Sequence, residues 1–268
     1  YIDWTPFFQA WEIRGRYPNV LDDAEKGEEA RKLFADGQAM LKQIIDEEWL
    51  KANAIIGLFP ANSVGDDIEV YDDESRERVM ETFHFLRVQK QQPKGKANHC
   101  LADYVAPKES GQPDHMGFFA VTAGIGIERK LEEFEANHDD YNAIMLKVLA
   151  DRLAEAFAEH MHEKVRTGLW GYAADESLTN NDLIMEEYQG IRPAPGYPAC
   201  PDHTAKGQMW KMLDIEDSIG LSITESYAMV PTAAVSGFYF AHADSKYFSL
   251  SKIYKDQVED YAKRRGVS

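Results

Sequence analysis

The sequence predicts an α+β domain in which helices pack around a largely antiparallel sheet. Three observations carry this. Helical and strand periodicities are mixed along the chain, without the regular strand–helix alternation of a doubly wound fold. The strand candidates are bounded by Pro, Asn or Gly and do not lead through glycine-rich turns into helices. Finally, no internal repeat, low-complexity tract or long linker divides the 268 residues, so a single domain is expected over 1–268.

The elements follow in order. From Glu25 to Trp49, apolar Ala30, Leu33, Phe34, Met40, Leu41, Ile44 and Ile45 recur at helical spacing. Ala54–Phe59 is a short apolar run closed by Pro60 and Asn62, hence a buried strand. Ile68–Tyr71 resumes after Gly65-Asp66-Asp67 and should pair with it. Glu74–Gln89 reads as a helix with Val79, Phe83 and Leu86 inward. Leu101–Val105 and Phe118–Thr122 read as further strands. The longest helical pattern runs from Asp140 to Thr167, followed by a shorter one over Glu176–Tyr188. A stiff loop, Arg192–Pro201, holds prolines at 193, 195, 198 and 201. Thr204 is placed to cap a helix ending at Leu213. Ser226–Val230 and Val235–Ala241 read as a strand pair, and Lys252–Arg264 as a closing amphipathic helix.

Charge and composition exclude several classes. Hydrophobic residues make up 44% and charged residues 28%, the mix of a globular core rather than a disordered chain. The 46 acids outnumber the 29 bases for a net charge of −17, against a dedicated nucleic-acid binder, whose phosphate contacts need clustered Lys and Arg. No stretch approaches the ~20 apolar residues of a membrane span. Two cysteines, Cys100 and Cys200, are too few for a disulfide scaffold, which points to a reducing, cytoplasmic compartment. The start at Tyr1, with neither initiator Met nor leader, reads as a domain excised from a longer polypeptide.

Candidate chemistry is sparse. Gly124-Ile125-Gly126 follows a strand, but Arg129 stands where the third glycine of a dinucleotide loop belongs, so a plain strand-to-helix turn is expected. Asp151, Glu155 and Glu159 step by four along the long helix, with His160 and His162 near its end. Without an H-E-x-x-H pattern, this stripe reads as solvated or partner-facing rather than metal-binding. His99 beside Cys100, and Cys200 near His203, raise a thiol nucleophile or zinc, yet neither cysteine has a second one close by, and free thiols are the simpler reading. The rigid Arg192–Pro201 loop suits ligand recognition, with Arg192 as a carboxylate fork and Tyr197 as an aromatic face, and equally suits a stiff connector. Asp3 sits among Trp4, Phe7, Phe8 and Trp11, where its carboxylate needs a ligand amine or a backbone amide.

Taken together, several segments resemble one family. They are Ile2–Phe8, Gly57–Asn62 with Gly65–Ile68, Leu101–Pro107, Asp151–Glu159, Tyr188–Pro198, Ser236–Phe240 and Asp244–Tyr247. In collinear order over essentially the whole chain, they resemble the C-terminal activation domain of cobalamin-dependent methionine synthase, whose hallmark is the Arg-x-x-x-Gly-Tyr loop. The resemblance implies a C-shaped α+β fold with a bent, mostly antiparallel sheet flanked by helices. It implies binding of S-adenosylmethionine (AdoMet) and a role in methionine biosynthesis. There the domain presents the AdoMet methyl for reductive methylation of inactive cob(II)alamin, by way of cob(I)alamin, and so reactivates the enzyme. Cobalamin would be held by another domain, and zinc only by the full-length enzyme's homocysteine domain.

Carried over residue by residue, Asp3, Arg192 and Tyr247 fall on AdoMet-binding positions, with Ala194, Tyr197 and Phe248 beside them. A carboxylate for the ligand ammonium and a guanidinium for its carboxylate form a complementary pair. No catalytic acid or base is implied, because the reduced cobalamin is itself a strong nucleophile and the sulfonium a good leaving group. Asp151, Glu155, Glu186 and His203 are candidates for docking the cobalamin-binding domain. The implied partners are that domain and reduced flavodoxin or a similar flavoprotein, with neither nucleic acid nor membrane. Basic residues such as Arg264, Arg265, Lys252 and Lys255 would have to gather locally to receive an acidic flavodoxin. The isolated domain is expected to be monomeric and inactive alone. The rival class is an interaction module that docks the cobalamin domain and flavodoxin without binding AdoMet.

Overall fold

The computed structural model describes residues 1–267. The first helix, α1 (Thr5–Ala10), buries Phe7 and Phe8 completely. It is followed by α2 (Gly27–Asp46), β1 (Lys51–Val64), β2 (Asp67–Tyr71), β3 (Val79–His84) and β4 (Asp114–Ile125). Then come α3 (Ile127–Ala136), the long α4 (Asp140–Lys164) and the short α5 (Asn180–Ile184). The chain ends with α6 (Ala205–Leu213), α7 (Ile215–Ile219), β5 (Ser222–Ile223), β6 (Met229–Val230), β7 (Ala234–Tyr239) and α8 (Lys255–Arg265).

Five strands form one sheet in the order β3-β2-β1-β4-β7, every neighbouring pair antiparallel. The long β1 and β4 are its spine, in register from Ala54 opposite Val121 to Ala61 opposite Asp114. One face carries Met116, Phe118, Phe238 and Phe240 into a core completed by α6, α7 and the rings of Phe83 and Phe85. The other carries Phe119, Val121 and Tyr239 against Ala158 and Val165 of the α4 region. The expected α+β class with helices around an antiparallel sheet is what the chain adopts.

Four local expectations are corrected. Glu74–Gln89 is not a helix: Phe83 and Phe85 are both buried, a period of two, and Ile68 pairs opposite Phe83. Leu101–Val105 is a 3₁₀ turn rather than a strand, because the Asp103 carboxylate accepts the Cys100 N–H at 2.9 Å. The helix expected over Glu176–Tyr188 shrinks to α5, capped by reciprocal bonds between Thr179 and Asp182, and Glu176 lies outside it. Ser226–Val230 and Val235–Ala241 do not pair with each other: β6 pairs with β5, and β7 adds to β4. At α6, Thr204 is the residue before the helix as expected, but its side chain does not cap it: its N–H and hydroxyl both donate to Asp202 Oδ1, at 2.8 and 2.7 Å. Gly126, with φ +91°, makes the expected plain turn from β4 into α3.

Candidate functional site

The Arg192 loop is laid along the free edge of β7. Ile191 exchanges two 3.0 Å backbone hydrogen bonds with Phe240, and the Pro193 carbonyl accepts from Phe238 N–H at 2.9 Å. This close approach needs Gly237, where a Cβ would stand 2.5 Å from the Pro193 carbonyl oxygen. Beyond it the chain folds on itself: Gly196 N–H donates to Cys200 O at 2.8 Å and Tyr197 N–H to Ala194 O at 3.1 Å. Gly196 has φ +99° and lies under the His203 ring, which a side chain at 196 would strike. The prolines strip donors, and the Gly196, Tyr197 and Cys200 N–H groups bond within the loop, so it is held as a rigid rim.

Arg192 points from this rim onto α4. Its Nη2 donates to Glu159 Oε2 at 2.6 Å, and Nη1 to Tyr188 Oη at 2.9 Å and His162 Nδ1 at 3.0 Å. Tyr247 Oη accepts the Arg192 backbone N–H at 3.0 Å and lies 3.2 Å from Tyr188 Oη. Behind this layer is a second, fully buried arginine, Arg166, in a wide π-type turn that continues α4 over Val165–Leu169. Arg166 forms a bidentate pair with Glu176 (2.8 and 2.7 Å) and approaches Glu159 Oε1 at 3.6 Å. Arg166, Arg192, Glu159 and Glu176 thus form a charge-balanced set between α4 and β7.

The acidic stripe of α4 is therefore not uniformly solvated. Each four-residue step runs about 40° past a full turn, so the stripe rotates inward along the helix. Asp151 is exposed and paired with Arg152, Glu155 is half-buried, and Glu159 is buried between two arginines. Burial raises the Glu155 and Glu186 carboxyls above their usual range, and both feel the opposing charge of Arg192. Tyr197 is exposed, and partial desolvation of its phenol, together with nearby Glu155 and Asp151, raises it. The loop, Asp151, Glu155 and Glu186 consequently border one region.

Asp3 reaches the same end of α4 by another route. The Tyr1 phenol donates to Glu163, one turn beyond Glu159, which ties the N-terminal segment alongside the helix. Asp3 Oδ1 accepts the Thr5 N–H at 2.9 Å, so the backbone amide is its partner here, and Asp3 lines a cleft of about 710 Å³. Asn180, Asn181, Ile184 and Met185, which immediately precedes Glu186, line the opposite wall.

Other expected residues lie elsewhere or are used differently. The Ala194 carbonyl accepts the Cys200 thiol at 3.0 Å. The Phe248 side chain packs against the cores and the His99 ring. His203 is exposed, 3.2 Å from Lys206 Nζ. Both cysteines are buried and burial pushes their thiols up to about 12, which leaves no thiolate nucleophile at neutral pH. Among the described residues no cluster of His, Cys, Asp and Glu is arranged to hold a metal, and no helix is long and apolar enough to cross a membrane. Arg264 and Arg265 do not gather as a free basic patch: Arg264 pairs with Asp67 and Asp260, and Arg265 with Asp202. Sequence reasoning missed Arg166, Glu176 and Tyr188, for which the only signal was an arginine following an otherwise apolar helical stripe.

The family model for the vitamin B12-dependent methionine synthase activation domain matches residues 1–266. The chain belongs to that family. A solved structure of the MetH reactivation domain bound to AdoHcy is 56% identical and superposes with a TM-score of 0.96. The match covers 100% of this activation domain and 82% of that chain. It extends the agreement from the sheet to the whole fold.

Proposed function

We propose that this activation domain binds AdoMet beside Arg192 and presents its methyl group for reductive methylation of cobalamin carried by another domain of methionine synthase. The observation that carries the reading is the Arg192 guanidinium. Of the five N–H groups of an arginine, three are taken by Glu159, His162 and Tyr188, which leaves two for a ligand carboxylate. A solved relative that is 56% identical is bound to AdoHcy, which shares the amino-acid head and adenosine of AdoMet.

The donor set fits such a ligand. AdoMet carries one carboxylate against two positive centres, its ammonium and its sulfonium. Asp3, Glu155 and Glu186 have no ion-pair partner among the described residues and lie around the already balanced Arg192 cluster. They supply the negative potential a cationic ligand needs, and Asp3 Oδ2 is the candidate for its ammonium. Tyr247 acts through Arg192, holding the backbone from which the fork projects. The Ala194 N–H, which has no partner among the described residues, is available to the adenine edge.

Held by its own domain and reduced by one electron from flavodoxin or a similar flavoprotein, cobalamin would supply the nucleophile for the AdoMet methyl, with AdoHcy as the leaving group. The residues of this chain hold the donor in line, exclude water and supply neither acid nor base. Exposed Tyr197 and Asp151, with Glu155 beside them, form the rim on which the cobalamin domain would dock. His203, over the outer turn of the loop, lies at its margin. Lys252 remains as a basic contact for a flavoprotein, whereas Lys255 is drawn to Glu259.

Calorimetric titration of AdoMet into the domain and its Arg192→Ala variant tests the reading. One-site binding that the substitution weakens about a hundredfold supports it. Equal affinity in both proteins would overturn the assignment of Arg192. No binding to the wild type would favour a docking module that holds no AdoMet.

A further inference from the structure

Among the eight histidines of the chain, His162 alone is completely buried. One face of its ring stacks on Tyr239 (centroids 5.1 Å apart, planes within 13°), which stacks in turn on Phe119 at 4.6 Å. The Tyr188 ring meets it edge-on at 4.9 Å. Its nitrogens have different partners: Nδ1 is 3.0 Å from Arg192 Nη1, and Nε2 is 3.4 Å from Tyr172 Oη.

Those partners fix the tautomer. A guanidinium has no acceptor, so Nδ1 must receive the Arg192 hydrogen bond with its lone pair, and the ring proton must sit on Nε2. A doubly protonated ring would aim a donor at a donor and add a third cation beside Arg166 and Arg192. Burial, and then those two cations, hold the imidazole well below its ordinary titration range. A phenylalanine would fill the same stack without the cost of burying an imidazole. What the histidine adds is an acceptor at one place on the guanidinium.

We propose that His162 is a positioning residue for the ligand site, its Nδ1 holding the Arg192 guanidinium so that the two N–H groups left free face the ligand carboxylate. This rests on the reading of Arg192 as the carboxylate partner. Glu159 restrains Nη2, and Tyr188 and His162 together take both hydrogens of Nη1. With Nη1 saturated, the guanidinium cannot rotate without leaving the buried Nδ1 unpaired.

Two substitutions separate positioning from packing. His162→Asn keeps an acceptor oxygen at the place of Nδ1 and loses the ring, whereas His162→Phe keeps the ring on Tyr239 and loses the acceptor. Calorimetric titration with AdoHcy should give His162→Asn an affinity within about threefold of wild type and His162→Phe one about tenfold weaker or more. Melting temperatures should rank the two variants the other way. If His162→Phe binds like the wild type, the ring is packing only and the inference fails. Nitrogen-15 spectra of the imidazole in the wild-type domain provide a test independent of ligand. A neutral ring protonated on Nε2 from pH 8 to 6 is expected, and a proton on Nδ1 would overturn the inference. Failure of the wild type to bind AdoHcy, with the tautomer as expected, would instead count against the ligand reading of Arg192.

Discussion

Strand β7 separates two kinds of interior. Phe238 and Phe240 point into a face filled by the rings of Phe83, Phe85 and Phe118, with centroids 4.9–6.4 Å apart. Tyr239, between them, points to the opposite face, where His162, Arg166, Glu159 and Glu176 are buried. Adjacent residues of one strand thus serve an apolar core and a charged cluster. The apolar face is held by area and shape, which are non-directional. The charged face is held by geometry: each group is tolerable only while its partner is in place. That difference explains why the ligand site is built on the second face, since a fixed guanidinium requires directional neighbours.

The comparison is broken most strongly by removing one large group from each side. Phe118→Ala should cost about 3–5 kcal/mol in urea denaturation, through lost burial and a cavity, while AdoHcy affinity stays unchanged where the protein is folded. Arg166→Met should cost a similar 3–5 kcal/mol, because Glu176 and Glu159 are left buried beside too little positive charge, but here affinity should fall as well. Adding Glu176→Leu to Arg166→Met should recover part of that stability, since an apolar pair is less costly than an orphaned carboxylate. A double variant less stable than the single one would contradict the description of the cluster as a charge-balanced set.

Acid should act on the charged face first. The folded-state pKa of His162 lies below the ordinary 6.5, so below that value the unfolded chain takes up a proton that the folded chain refuses. The contribution is fully favourable above about pH 6.5 and declines by up to about 1.4 kcal/mol per pH unit below it. Glu155 and Glu186, whose carboxyls are raised, act with the opposite sign nearer the carboxylate range. In the window from pH 6.5 to 5.5 His99, also lowered by burial, acts with the same sign, so the difference between wild type and His162→Asn isolates His162. Denaturation curves of the wild type should steepen there in their pH dependence more than those of His162→Asn.

The smallest effect sharpens the role of Asp3. Asp3→Asn keeps the oxygen that accepts the Thr5 N–H and removes only the charge. Its melting temperature should match the wild type, with AdoHcy affinity reduced about tenfold. A fall in stability without a change in affinity would reduce Asp3 to a turn residue.

Much of this architecture was legible in the sequence where one periodicity dominated. The long α4, the α2 stripe, β1 and the closing helix follow from spacing, and the Arg192 loop was marked by its prolines. Expectation failed where side chains override local pattern. Phe83, Leu86 and Val79 match a helical stripe, yet pairing with β2 decides the outcome, and the Asp103 carboxylate turns an apolar run into a 3₁₀ corner. For the site, Arg192 and Asp3 could be named from residue type and resemblance. The partners of Arg192 could not, because Glu159 and His162 enter from a helix 30 residues away and look, in sequence, like part of a solvated face.

The most direct test of the central claim is a crystal structure of this chain with AdoHcy. The account predicts the ligand carboxylate on the two free N–H groups of Arg192, with Glu159, His162 and Tyr188 still on the other three and the ligand ammonium at Asp3. A ligand seated away from the Arg192 loop, or an Arg192 that has left Glu159 and His162 to reach it, would contradict the claim.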